Sequence, residues 1–131
     1  LLKLLSKKKK QRNSSSVVFT ASISGYNNVA PANGIYGTSK SALSTYMKYA
    51  ALELAGKGIR CNAVQPGRIN TPLISNRLLS EEDVTKDIEQ YPMKRYGKPE
   101  EVAHAIIYLL SDASAWVTGT NLVIDGGRSL K

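Results

Sequence analysis

The chain has 131 residues, a length that suits one domain, and its apolar content of 42% can build a core, which argues against wholesale disorder. Its longest apolar runs, such as AIIYLL, are far too short to cross a bilayer, and LLKLL stands before KKKK, the reverse of a signal peptide. The net charge of +8 is uneven: Lys3, Lys7, Lys8, Lys9, Lys10 and Arg12 supply six positive charges with no acid among them, and the rest of the chain carries only +2.

These features point to a soluble protein of the cytoplasm, with no membrane partner. KKKKQR reads as a solvated turn after a helix, where cations suit the negative end of the helix dipole. No aromatic residue interleaves with the lysines, which argues against a nucleic-acid patch. Cys61 is the single cysteine and His104 the single histidine, so an internal disulfide is excluded and no zinc site is expected. Both sit in apolar surroundings, IRCNAV and EVAHAIIYLL, and are expected in a core or an interface.

In chain order, residues 1–5 read as the last turn of a helix and QRNSSS as a loop. VVFTAS is a short β-rich run of the kind buried on both faces of a parallel sheet. SGYNNVAPANG has the composition of a loop. From Ile35 to about Lys57 the pattern is helical, with Leu43, Met47, Ala50, Ala51 and Leu54 on one face and Gly56 and Gly58 as the stop. IRCNAVQ is the next strand, ended by Pro66 and Gly67. The stretch from Thr71 to Tyr91 is polar and weakly helical. Pro99 opens a further helix with Glu100 and Glu101 in its first turn and Val102, Ala105, Ile106, Leu109 and Leu110 as its apolar stripe. NLVIDGG closes as a strand and a glycine turn.

Alternation of this kind predicts an α/β fold with a parallel sheet of three strands. Ligands of such sheets bind beyond the carboxyl ends of the strands. That rule singles out Ser22, the segment from Pro66 to Thr71, and the residues after Asp125. Three strands make a thin sheet, and the VVF strand needs cover on its free side.

Tyr36 and Lys40, in GIYGTSK, stand four apart on one helix face. An ammonium beside a phenol favours the phenolate, which suits a general acid or base. A serine hydroxyl at the end of the neighbouring strand, Ser22, could bind the same substrate oxygen. This arrangement suits interconversion of an alcohol and a carbonyl. Taken alone, a tyrosine and a lysine four apart are also an ordinary feature of helices.

Four segments in one order add to it: VVFTASISG, YGTSK, IRCNAVQPGRINTP and YGKPEEVAHAIIYLLSDASAWVTGTNLVIDGG. Over residues 1 to 129 the chain resembles the C-terminal half of the short-chain dehydrogenase/reductase family, with most similarity to 3-oxoacyl-carrier-protein reductases and related sugar or polyol dehydrogenases. The resemblance implies half of a Rossmann-like doubly wound parallel sheet, one partial domain over residues 1–131, with the N-terminal half absent. It implies an oxidoreductase that uses NAD or NADP on a small carbonyl or alcohol substrate and assembles as a homo-oligomer. Tyr36 would exchange the proton, Lys40 would support it and bind the nicotinamide ribose, and Ser22 would hold the substrate oxygen. Pro66 and Gly67 would shape the cofactor turn, Ile69 would bind the carboxamide through its backbone, and Thr71 would add a side-chain hydrogen bond. Residues 71–91 would be the substrate lid, and no metal is implied. Trp116 stands where the family commonly has an aromatic, which implies packing. Asp125-Gly126-Gly127 reads as a turn and not a phosphate loop.

The family's Gly-rich dinucleotide turn, its Asn-Asn-Ala-Gly segment and its cofactor-selecting residue have no counterpart here. Gly56-Lys57-Gly58 precedes a strand instead of following one. The expectation is a fragment of a longer enzyme, inactive alone. The alternative is a truncated non-catalytic relative that serves as an interaction or oligomerisation module.

Overall fold

The structure, a computed structural model, describes residues 15–72 and 80–131. The helical turn expected at residues 1–5, the KKKKQR cluster and residues 73–79 of the expected lid lie outside the described residues. Strands β1 (Ser15–Thr20), β2 (Ile59–Pro66) and β3 (Asn121–Ile124) form a sheet of order β1-β2-β3. Both pairings are parallel, with Val17 opposite Cys61 and Val64 opposite Leu122. The helices are α1 (Gly34–Ala55), α2 (Glu81–Glu89) and α3 (Pro99–Leu110), and short 3-10 turns occupy Ile23–Gly25, Asp112–Ser114 and Arg128–Leu130.

Strand β2 is the centre of the molecule. Residues Ile59 to Gln65 are all buried, because β2 has a strand on each side and a helix over each face. Its alternation sorts the side chains. Cys61 and Ala63 meet Met47, Ala50, Ala51 and Leu54 of α1. Arg60 and Asn62 turn to the α3 side. Full burial of Met47 and Leu54 contributes about 2 kcal/mol each. The predicted apolar face of α1 is thus the buried one, with Ser44 added to it; Ser44 accepts a hydrogen bond from Gln65 Nε2 at 3.1 Å. Gly58, at φ +74, makes the turn from α1 into β2 in a conformation that disfavours side chains.

Several expectations are corrected. β1 is half-buried instead of fully buried, because among the described residues it is paired on one edge only. Leu110 of the α3 stripe is half-exposed, and His104 is exposed, so neither belongs to the core. Trp116 is 100% exposed and packs on nothing among the described residues. Cys61 lies in the core as expected, where burial pushes its thiol up and away from reactivity.

The α3 end of the sheet is organised by Arg60. The last carbonyls of a helix lack partners and carry the negative end of its dipole. Arg60 donates to Leu109 O at 2.9 Å and Ser111 O at 3.0 Å, and to Ser114 Oγ at 2.8 Å. Ser16 Oγ also donates to Leu109 O, at 2.7 Å, tying β1 to the same helix end. Asn62 braces the turn into β3, donating to Val117 O at 2.9 Å and accepting from Thr120 N at 3.1 Å.

Arg60→Met keeps the stem's packing and strips these carbonyls of their donor. It should destabilise the fold by about 3 kcal/mol in urea unfolding, and a change under about 0.5 kcal/mol would refute the role given to Arg60.

Candidate active site

Because all three strands run the same way, their carboxyl ends share one edge of the sheet. Ser22 follows β1, Gly67 to Thr71 follow β2, and Arg128 follows β3. These residues, with Tyr36 from α1, line one cleft of about 410 Å³. Of the residues singled out from the sequence, Ser22, Tyr36, Gly67, Ile69 and Thr71 line it directly. Pro66 is the last residue of β2, and Lys40 stands one turn behind Tyr36.

The Ser22 loop and α1 meet at glycines. A Cβ on Gly37 would lie 2.7 Å from Ser24 O, and one on Gly25 would collide with the backbone at Ser41. No other residue permits this approach, which sets Ser22 beside the first turns of α1. Asn33 Nδ2 donates to Ser24 Oγ at 3.1 Å and ties the same loop to the helix start.

Ser22 caps the turn Ile23–Gly25: its Oγ accepts from Ser24 N at 3.2 Å. The cap uses a lone pair of the hydroxyl and leaves its O–H able to donate into the cleft. A turn cap and a cleft donor are therefore compatible in one serine. Lys40 Nζ lies 5.7 Å from the centre of the Tyr36 ring and donates to Thr20 O at 3.0 Å. That bond fixes the ammonium at the end of β1 and leaves two of its three N–H groups. Tyr36 is 46% exposed, with its ring open to the cleft.

The turn after β2 is held by residues far away in sequence. Gly97 N donates to Arg68 O at 3.1 Å, and Asn70 N donates to Gly97 O at 2.8 Å. This single bridge uses the groups on either side of Ile69 and leaves Ile69's own N–H and C=O without a backbone partner among the described residues. Those two groups can receive a planar amide, so the turn fits the carboxamide of a nicotinamide. A Cβ on Gly67 would sit 3.0 Å from that of Asp125, so the turn closes against the end of β3.

Arg68 lies in the singled-out segment from Pro66 to Thr71 but was given no role of its own, and neither were Asp87, Tyr91 and Tyr96. Arg68 Nη1 pairs with Asp87 Oδ2 of α2 at 2.8 Å, and Tyr96 O–H donates to the same oxygen at 2.8 Å. Tyr91 Oη accepts from Arg68 N at 3.2 Å, and burial pushes its phenol up, so it remains neutral. The group joins α2, within the expected lid, to the turn after β2. No spacing signal announces it, since it joins three separate segments. One element of this frame, the segment Arg95 to Glu101, is itself clamped. Glu101 accepts from Arg95 at 2.6 and 2.8 Å and from Lys98 N at 2.7 Å, and Arg95 first, then the Lys98 amide, lower its carboxyl to about 2.

Comparison with known proteins matches the whole of this frame. The family model described as enoyl-(acyl carrier protein) reductase matches residues 1–129. The cyclohexanol dehydrogenase of Acinetobacter sp. (strain SE19) is 42% identical over 115 residues, covering 88% of this chain and 43% of its own length. The 3-oxoacyl-(acyl-carrier-protein) reductase of Thermotoga maritima is 43% identical over 118 residues, covering 90% and 46%. Among solved structures, a short-chain type dehydrogenase/reductase from Mycobacterium ulcerans superposes with a TM-score of 0.89 at 35% identity, over 99% of this chain and 47% of that one. The ligand-free aldohexose dehydrogenase of Thermoplasma acidophilum gives 0.82 at 35% identity, over 92% and 50%. The chain spans about half the length of the curated relatives it matches, and its sheet is the C-terminal half of a Rossmann-like sheet.

Two measurements check this frame. Gly37→Ala should force the Ser22 loop away from α1 and cost about 1–3 kcal/mol in urea unfolding, whereas a neutral effect would contradict the close approach. Glu101's folded value lies below its ordinary 4.5, so its clamp stabilises the fold above pH 4.5 and is lost as the pH falls through about 2. The stability gap between the wild type and Glu101→Gln should therefore narrow on acidification, and a constant gap would contradict it.

Proposed function

The chain belongs to the short-chain dehydrogenase/reductase family, and from that membership and its cleft we propose that it carries the proton-transfer half of an NAD(P)-dependent oxidoreductase. The reaction is the interconversion of a small carbonyl compound and its alcohol, in the cytoplasm. The observation that carries this reading is one cleft lined by Ser22, Tyr36, Ile69 and Thr71, with the Lys40 ammonium 5.7 Å from the Tyr36 ring.

A bound nicotinamide dinucleotide supplies the hydride for reduction or accepts it in oxidation. This chain's residues handle the proton and the geometry. In reduction, Tyr36 O–H gives its proton to the carbonyl oxygen as the carbonyl carbon gains the hydride; in oxidation the phenolate takes the alcohol proton. Ser22 O–H donates to the same oxygen and stabilises the charge developing there. Lys40, fixed on Thr20 O, sets a positive charge beside the phenol and offers its remaining N–H groups to the cofactor ribose. The peptide groups of Ile69, without a backbone partner among the described residues, suit the carboxamide, Pro66 and Gly67 shape that turn, and Thr71 adds a side-chain contact. Either NAD or NADP fits these residues, and neither needs a metal. Residues 71–91 act as the substrate lid, and the parent enzyme is a homo-oligomer.

A second reading is favoured by a different observation. Ile35 and Leu52 of α1 are 92% and 80% exposed, and Ile107 and Leu110 of α3 are also open. A non-catalytic short form could dock on a full-length relative through these faces. Co-purification with such a relative, without nicotinamide binding, would favour it.

In a protein that joins this chain to a Gly-rich dinucleotide turn, Tyr36→Phe should lower kcat by about 100- to 10,000-fold with an unchanged circular dichroism spectrum. Turnover at the wild-type rate would remove Tyr36 from the mechanism. The 131-residue chain alone should give no saturable heat with NADH or NADPH in calorimetric titration, since no Gly-rich turn is present to cradle the phosphates.

A further inference from the structure

We propose that Arg128 recognises an anionic group of the substrate, so that the compound turned over carries a carboxylate or phosphate as well as its reacting carbonyl or alcohol. The inference rests on the cleft being the substrate site.

Three charged side chains line the cleft among the described residues: Arg68, Asp87 and Arg128. Arg68 and Asp87 neutralise each other at 2.8 Å. The acid nearest to Arg128 in sequence is oriented by its own turn and forms no ion pair with Arg128. Asp125 Oδ1 accepts from Gly127 N at 2.9 Å, and Oδ2 accepts from Ser129 N at 2.7 Å. Among the described residues the Arg128 guanidinium therefore has no carboxylate partner, although the residue is half-buried. A cation withdrawn from water in this way favours an incoming anion. Its planar fork matches carboxylate and phosphate oxygens in pairs.

The turn that bears Arg128 is held rigidly. Gly126 and Gly127 adopt φ +60 and +82, and a Cβ on Gly127 would lie 2.9 Å from Pro92 Cγ. Met93 N donates to Gly126 O at 3.2 Å. On the other side, Asn27 Nδ2 donates to Ser129 O at 3.0 Å, which ties the turn to the loop that follows Ser22. Arg128 is thus carried by a frame braced from both walls of the cleft. It follows β3, across β2 from β1, the strand that Ser22 follows. A substrate with its oxygen at Ser22 and Tyr36 would direct its far end towards Arg128. Small oxo acids and phosphorylated carbonyl compounds have this layout; simple ketones and alcohols do not.

The test is a nuclear magnetic resonance titration of the isotope-labelled chain with acetoacetate, with its uncharged ethyl ester, with inorganic phosphate and with NADP+. Acetoacetate and phosphate should shift the Arg128 Nε–H signal and the Gly127 and Ser129 amides saturably, and the ester should not. Arg128→Gln should weaken this binding at least about tenfold, with partial recovery in Arg128→Lys. Equal shifts with the ester, no shift with acetoacetate, or unchanged shifts in Arg128→Gln would overturn the proposal. So would an Arg128 response to NADP+ alone, which would assign the residue to a cofactor phosphate. Anion-induced shifts in a protein that joins the unsubstituted chain to a Gly-rich dinucleotide turn and reduces no carbonyl would overturn the proposed reaction alone, and Arg128-independent turnover of acetoacetate would overturn this inference alone.

Discussion

The cleft exists because β2 is paired in parallel on both of its edges. Parallel pairing brings the ends of β1, β2 and β3 to one side of the sheet. Residues as distant as Ser22 and Arg128 then share a wall without any direct sequence relation. The requirement that makes this possible is burial of β2 from Ile59 to Gln65. A strand covered on both faces leaves no polar backbone group for water, so every one must be met by a neighbouring strand or by a side chain. Thr118 shows the second solution: its Oγ1 accepts from Cys61 N at 3.1 Å where β3 has not yet begun.

Polar groups near the cleft are used for structure without being exhausted. The Ser22 oxygen accepts from a backbone amide and keeps its proton. Lys40 gives one N–H to Thr20 O and keeps two. Ile69 sits in a bridge built from its neighbours' groups and keeps its own. In each case one bond fixes the position and leaves hydrogen-bonding capacity unused. Such preorganisation removes the cost of orienting a donor at the moment of reaction.

The regular elements were legible in the sequence because each carries a period. Met47, Ala50, Ala51 and Leu54 repeat with the helix, and IRCNAVQ is too apolar and too β-branched for an exposed loop. Tyr36 and Lys40 were legible for the same reason, since four residues make one helical turn. Arg68, Asp87 and Tyr96 were not, because their contact depends on how the segment around Gly97 folds back onto the turn after β2. Arg128 lies among the residues after Asp125 that the strand-end rule marks, but its own side chain carried no separate signal. Its own turn's hydrogen bonds orient Asp125 towards backbone amides. Trp116 misled because apolar neighbours in sequence do not guarantee apolar neighbours in space: the surface beside it is open among the described residues.

Proton transfer and cofactor affinity make different demands on a fold. Proton transfer requires a few atoms held to within a fraction of an ångström, and the role proposed for Tyr36 rests on short contacts inside this chain: Gly37 against Ser24, Lys40 on Thr20, Ser22 on its own turn. Affinity for a dinucleotide requires many weaker contacts along its phosphates, which a Gly-rich turn at a helix start supplies. On the proposed reading the residues of this chain serve the first demand, and they contain no Gly-rich motif for the second. The contacts that set the geometry around Tyr36 all lie within this chain. An enzyme assembled from these two parts could change its cofactor preference in one without disturbing the proton-transfer geometry of the other.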